Sequence, residues 1–157
     1  LPRLPNAPAG YRGDQDFVIP VTPAAGANAS FTSAGQDWLR LVSCIATLTT
    51  DANAADRFVS LDYIDGRGTK YLRNAAPVFI TASTTGQVFQ WDRHRTVSEW
   101  NTDTMVFAPL ASLWLPPGWT IQVTVDSKQA GDQLSAIGFL VERFYRLRPS
   151  AASDPDG

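Results

Sequence analysis

From Trp119 to Asp126 the chain takes apolar and polar residues in turn. Trp119, Ile121, Val123 and Val125 alternate with Thr120, Gln122, Thr124 and Asp126. A period of two puts every second side chain on one face of a strand, so this stretch has one face to bury and one to leave in water. Pro116, Pro117 and Gly118 lead into it, since prolines end pairing and a glycine accepts a tight turn. Residues 130–133 (AGDQ) lead out, and Ile137, Phe139 and Val141 begin a second strand. Two long neighbouring strands joined by a polar turn predict the centre of a β-sheet. A chain organised this way is committed to sheet packing.

The remaining segments agree. Residues 16–22 (DFVIPVT) form a short strand that Pro20 confines to an edge or to the start of pairing. Residues 38–50 (WLRLVSCIATLTT) fit both a helical stripe and a looser alternation, but Val42, Ile45, Thr47, Thr49 and Thr50 are β-branched and favour a strand. Residues 51–56 make a loop, residues 57–64 (RFVSLDYI) return as a strand, and Asp65-Gly66 supplies the positive φ angles of a hairpin turn. Further strands are expected at 69–72, 77–82 and 87–92, with a turn at 84–86. Residues 93–103 (RHRTVSEWNTD) are polar and irregular, a loop crossing between sheets, and strands at 104–107 and 110–115 lead to the central pair. Eight to ten strands at a spacing of roughly 8–12 residues, without a convincing helix, predict an all-β fold. The architecture expected is an antiparallel β-sandwich of jelly-roll type over residues 16–148.

The two ends read differently. Residues 1–15 hold prolines at positions 2, 5 and 8 and show no periodicity, which predicts an extended N-terminal arm. Residues 149–157 form a polar C-terminal tail. Within the arm, Leu1, Pro2, Arg3, Leu4 and Pro5 are the candidate contacts to a neighbouring molecule. An arm of this kind adds avidity through many weak contacts, or covers an open sheet edge of its neighbour.

Composition removes several function classes. With 13 basic and 15 acidic residues the net charge is −2, so no basic field points to nucleic acid and no charge run to a membrane surface. The apolar runs fall far short of the roughly 20 residues that cross a bilayer as a helix. The single cysteine, Cys44, lies in an apolar strand and reads as a small buried hydrophobe. One Cys and one His do not make a zinc site, and no metal or other cofactor is expected.

Catalytic groups are sparse as well. The one histidine, His94, sits between two arginines. Asp92 or Asp103 could orient it, but no Gly-x-Ser-x-Gly nucleophile turn is present. Asp62 and Asp65 are near enough in sequence to share a Ca²⁺ with loop carbonyls, but no EF-hand spacing appears, and strand solvation and turn formation are the favoured reading. Paired carboxylates for glycoside hydrolysis would have to form in space, because no sequence signature marks them. No catalytic residue is assigned. Arg12-Gly13-Asp14 and Asn28-Ala29-Ser30 match an adhesion tripeptide and a glycosylation acceptor, both short enough to arise by chance. Most aromatic residues belong to a core. Trp100, in the irregular segment, is the candidate for a glycan-binding face or a subunit contact.

Residues 38–43 (WLRLVS), 47–61 (TLTTDANAADRFVSL) and 64–68 (IDGRG) resemble small β-rich proteins of tailed bacteriophages, as do residues 115–121 (LPPGWTI) and 131–137 (GDQLSAI). The resemblance covers about residues 36–142 and carries no active-site residues. It implies a virion structural protein with a β-sandwich fold. Within that class a capsid decoration (cement) protein on the shell exterior is favoured, bound to the major capsid protein or another virion protein; the arms at both ends predict a homo-oligomer, with a trimer favoured. The alternative is a collar, tail or head-fibre component whose sandwich binds a carbohydrate receptor.

Overall fold

A computed structural model describes residues 11–95, 99–102 and 105–146. They form eleven strands: β1 (Tyr11–Val18), β2 (Ala29–Thr32), β3 (Trp38–Thr49), β4 (Arg57–Ile64), β5 (Lys70–Ile80), β6 (Gln87–Asp92), β7 (Glu99–Thr102), β8 (Met105–Pro109), β9 (Trp114–Leu115), β10 (Thr120–Asp126) and β11 (Gln133–Arg146). No helix occurs among the described residues, and the chain is an all-β sandwich.

One sheet runs β1-β11-β3-β6-β8-β7, with β9 pairing β3 beyond the end of β6, and the other runs β2-β10-β4-β5. Every pairing is antiparallel except β6 with β8. The alternation seen in the sequence supplies the core. Leu39, Leu41, Cys44, Ala46 and Leu48 of β3, with Phe139 and Val141 of β11, face Val59, Leu61 and Tyr63 of β4 and Ile121, Val123 and Val125 of β10. Phe89 and Trp91 of β6 stack at 5.9 Å inside this layer, and the buried Trp91 indole donates to the Asn74 carbonyl at 3.1 Å. A buried indole N–H without an acceptor would cost about 1–3 kcal/mol, so this bond fixes where β5 lies over β6.

Several expectations change. The two strands expected to form one sheet centre, β10 and β11, lie in opposite sheets: β10 sits between β2 and β4, and β11 between β1 and β3. The polar turn between them crosses the sandwich. The arm was expected to end at residue 15, but β1 starts at Tyr11 and pairs with Arg146, while its ladder stops at Val18, two residues before Pro20. Residues 69–72 and 77–82 were expected as separate strands. They belong to one strand, β5, whose register to β4 slips between Phe58 and Ser60, where Pro77 lacks a donor. β2 was not anticipated, and β7 lies in the segment expected to be irregular. In the hairpin after β4, the left-handed residue is Gly68 (φ 88°), not Gly66. The Asp65 carboxylate accepts the Arg67 and Thr69 N–H groups and holds the turn. Residues 1–10 and 147–157 lie outside the described residues, and with them most of the expected arm and the whole expected tail.

Candidate functional site

Three buried ion clusters organise the polar side chains. Arg57, at the start of β4, is fully buried. It donates through Nε to Asp132 at 2.9 Å, through Nη2 to Asp51 at 2.8 Å and through Nη1 to the Ala55 carbonyl at 2.7 Å. Asp132 also accepts the N–H groups of Asp51 and Gln129, so one ion pair clips the 51–56 loop to the 127–132 turn. Burial alone would raise the Asp132 carboxyl; the Arg57 bonds and the two N–H donors outweigh it and hold the pKa below its ordinary value.

Asp62, on the outer face of β4, lies under Lys70 and Arg73 of β5 and accepts from the Thr124 hydroxyl at 2.8 Å. Burial pushes its carboxyl up, but the hydrogen bonds from Arg73, Lys70 and Thr124 more than reverse this. Asp62 is thus committed to cations of the chain and Asp65 to its turn, rather than to a shared Ca²⁺. On the opposite sheet, Glu142 of β11 is buried beneath Arg40 and Arg93. Its carboxyl is likewise held down, burial being outweighed by the bonds from Arg93 and then Arg40.

These clusters pair the buried carboxylates of Asp62, Asp132 and Glu142 with cations of the chain. His94 is exposed in the turn after β6, where its backbone N–H donates to the Asp92 carboxylate. Cys44 is buried, and desolvation pushes its thiol far up. Among the described residues no three His, Cys, Asp or Glu side chains gather as metal ligands. The Asn28 side-chain oxygen accepts from the Val125 N–H and from the Lys128 ammonium. Gly13 and Asp14 of the adhesion tripeptide lie in β1, paired with Phe144 and Arg143, and a Cβ on Gly13 would stand 2.7 Å from the Phe144 ring. That tripeptide is a strand rather than a presented loop.

The aromatic side chains are mostly engaged with one another. Trp119 stacks on Tyr71 at 5.2 Å, and Trp114 meets the edge of Phe144 at 4.4 Å with the Arg40 guanidinium 4.5 Å over its ring. Trp100 lies in β7, where its backbone pairs with Val106. Leu1, Pro2, Arg3, Leu4 and Pro5 lie outside the described residues. An open apolar hollow of about 370 Å³ at the edge of β5 is lined by Pro77, Val78, Phe79, Ile80, Thr81, Thr84 and Gln87. Sequence reasoning missed the exposed trio Phe17, Ile19 and Val21, whose alternation was legible but whose exposure was not.

No protein-family model matches the chain, and no curated protein matches it in sequence. Among solved structures, a chain of the T13 IBDV viral particle is similar at 13% identity and a TM-score of 0.37, over 96% of this chain and 41% of that one. A chain from the structure of the infectious bursal disease virus Gt strain is similar at 14% identity and a TM-score of 0.28, over 88% of this chain and 31% of that one. The chain thus spans less than half the length of either neighbour. At these scores neither decides the fold, which stands on its own strand order.

Proposed function

We propose that this chain is a non-enzymatic structural protein of a virion, and within that class a capsid decoration protein of a tailed bacteriophage. The observation that carries the reading is the strand order. With β7, β8 and β9 set aside as an insertion, the sheets run β1-β11-β3-β6 and β2-β10-β4-β5. Consecutive strands then alternate between sheets except at β4–β5, and the first and last strands lie side by side. That order supports reading the sandwich as an eight-stranded jelly roll, an architecture shared by viral capsid proteins, lectins and cupins.

Residue chemistry separates those three. A chain with one histidine, exposed, and one buried cysteine lacks the imidazole ligands of a metal-binding barrel. Trp119 and Trp114 spend ring faces on Tyr71 and Arg40, which weighs against a lectin-like sugar platform. The net charge of −2 suits the outside of a shell better than a surface holding packaged nucleic acid. Residues 1–10, which include two Leu and three Pro, precede β1 in the sequence and are read as an arm that reaches a neighbour in the lattice, where copies would group as trimers on the shell. The second reading, a receptor-binding tail or fibre component, draws on Tyr71, a residue 64% exposed beside Trp119.

The test is co-sedimentation of the purified protein with undecorated phage capsids, alongside its solution mass. Saturable binding at a fixed ratio to capsomers supports the decoration reading. Failure to bind any shell, with retention on a glycan array, overturns it in favour of the receptor-binding one.

A further inference from the structure

Sheet edges are where a β-sandwich is open to another chain, and the edges here are not alike. β2 and β7 are short, at four residues each, and β5 is interrupted by two register slips and carries Lys70, Arg73 and Pro77. Short length, bulges, charge and proline are the usual protections of an edge. β1 has none of the first two: its eight residues pair with β11 in unbroken register.

Beyond the ladder the same alternation continues with its apolar residues facing water. Phe17 is 55% exposed, Ile19 71% and Val21 91%, while Val18 packs against the core. The Phe17 ring lies over Gly138, where a Cβ would come within 2.5 Å of it, so the stripe starts from a fixed point on the sheet. Among the described residues neither Ile19 nor Val21 has a hydrogen-bond partner for its backbone. Pro20 lacks a donor on one side only. In an extended strand, successive N–H groups leave on opposite sides, so those of Ile19 and Val21 point away from the side that Pro20 blanks.

We infer that the Phe17–Ile19–Val21 stripe is a two-fold contact with a second copy of this chain, paired antiparallel about Ile19. The sequence is self-complementary in that register. Ile19 meets Ile19 of the second copy, Phe17 meets Val21 twice, and Asp16 falls opposite Thr22, so no like charges oppose each other. Shared parity keeps all six apolar side chains on one face. Pro20 falls opposite Val18, where the ladder needs no donor from it. The contact is separate from any shell binding and holds whether or not the virion reading does.

The experiment uses the full chain with single cysteine substitutions, for which the buried Cys44 gives a quiet background. On the two-fold axis, Ile19→Cys brings two sulfurs together and forms a disulfide-linked dimer under mild oxidation. Thr22→Cys, also exposed but off the axis, places its two sulfurs about 20 Å apart and stays unlinked. Sedimentation equilibrium of the unaltered chain should show a dimer, and Val21→Asp should weaken it at least tenfold while leaving the melting temperature unchanged. Equal cross-linking of the two cysteine variants, a monomer at every concentration, or a dimer indifferent to Val21→Asp would each overturn the inference.

Discussion

Arg93 and Glu142 meet as two parallel forks, with Nη1 to Oε2 at 3.0 Å and Nη2 to Oε1 at 2.9 Å. Arg93 follows β6 and Glu142 lies in β11, so β3 runs between them, and its Arg40 bonds the same carboxylate. One buried carboxylate thus ties three strands of one sheet on its outer face.

Glu142→Gln keeps the shape and removes the charge, leaving two arginines facing a neutral amide. Both arginines retain partial contact with water, so the cost is put at about 2–3 kcal/mol rather than the full penalty of a broken buried pair. Thermal unfolding should shift down by roughly 5–10 °C. A shift within error of zero would mean that the forks contribute nothing net.

Arg57 has no such contact with water. Arg57→Met strands Asp132 in the interior with only backbone donors, and about 3–5 kcal/mol of stability should be lost. Arg57→Lys should recover part of it, because one ammonium cannot reach Asp132, Asp51 and the Ala55 carbonyl together. Urea unfolding of the two variants orders them, and equal midpoints would refute the geometric account.

Acid should act through the same clusters. The carboxyls of Asp62, Asp132 and Glu142 are all held below their ordinary values in the folded chain. The unfolded chain therefore binds more protons in acid, and stability rises with pH there. The contribution is complete above the unfolded values, 3.8 for Asp and 4.5 for Glu, and is lost as pH falls below them through the depressed folded ones. The melting temperature should be level from neutral pH to about pH 5 and fall steeply beneath it. Glu142→Gln should flatten that fall; an unchanged slope would exclude Glu142 from it.

Cys44 offers a reporter for opening. Burial pushes its thiol up and closes it to reagent, so labelling requires that β3 leave its place between β11 and β6. The labelling rate should track global unfolding across denaturant, and Arg57→Met should speed it in proportion to the stability lost. Fast labelling of the native chain would refute this.

β4 and β6 were legible residue for residue, because a clean period of two and strong turn residues bound them. The start of β11 was hidden by Ala136, which sits at φ 46° in a bulge and breaks the alternation four residues into the strand. Its far end was hidden by Glu142 and Arg143, charged residues that a period-two reading assigns to a boundary. Which sheet each strand joins was not legible at all, since a polar turn can fold back or cross over. The exposed stripe failed for a different reason. Apolar alternation implies burial, and for Ile19 and Val21 the described residues supply nothing to bury them.

The pairing of β1 with β11 also bears on how the molecule is made. A ribosome releases Tyr11–Val18 well before their ladder partners, Phe139–Arg146, with strands β2 to β10 emerging in between. No hairpin can shelter β1 in the meantime, and β3 waits for the same late strand on one side. The larger sheet therefore closes only after synthesis has passed its last strand, with loop-closure entropy delaying the step. Until then the nascent chain carries uncovered apolar strands, and it is in this interval that a chaperone would find something to hold.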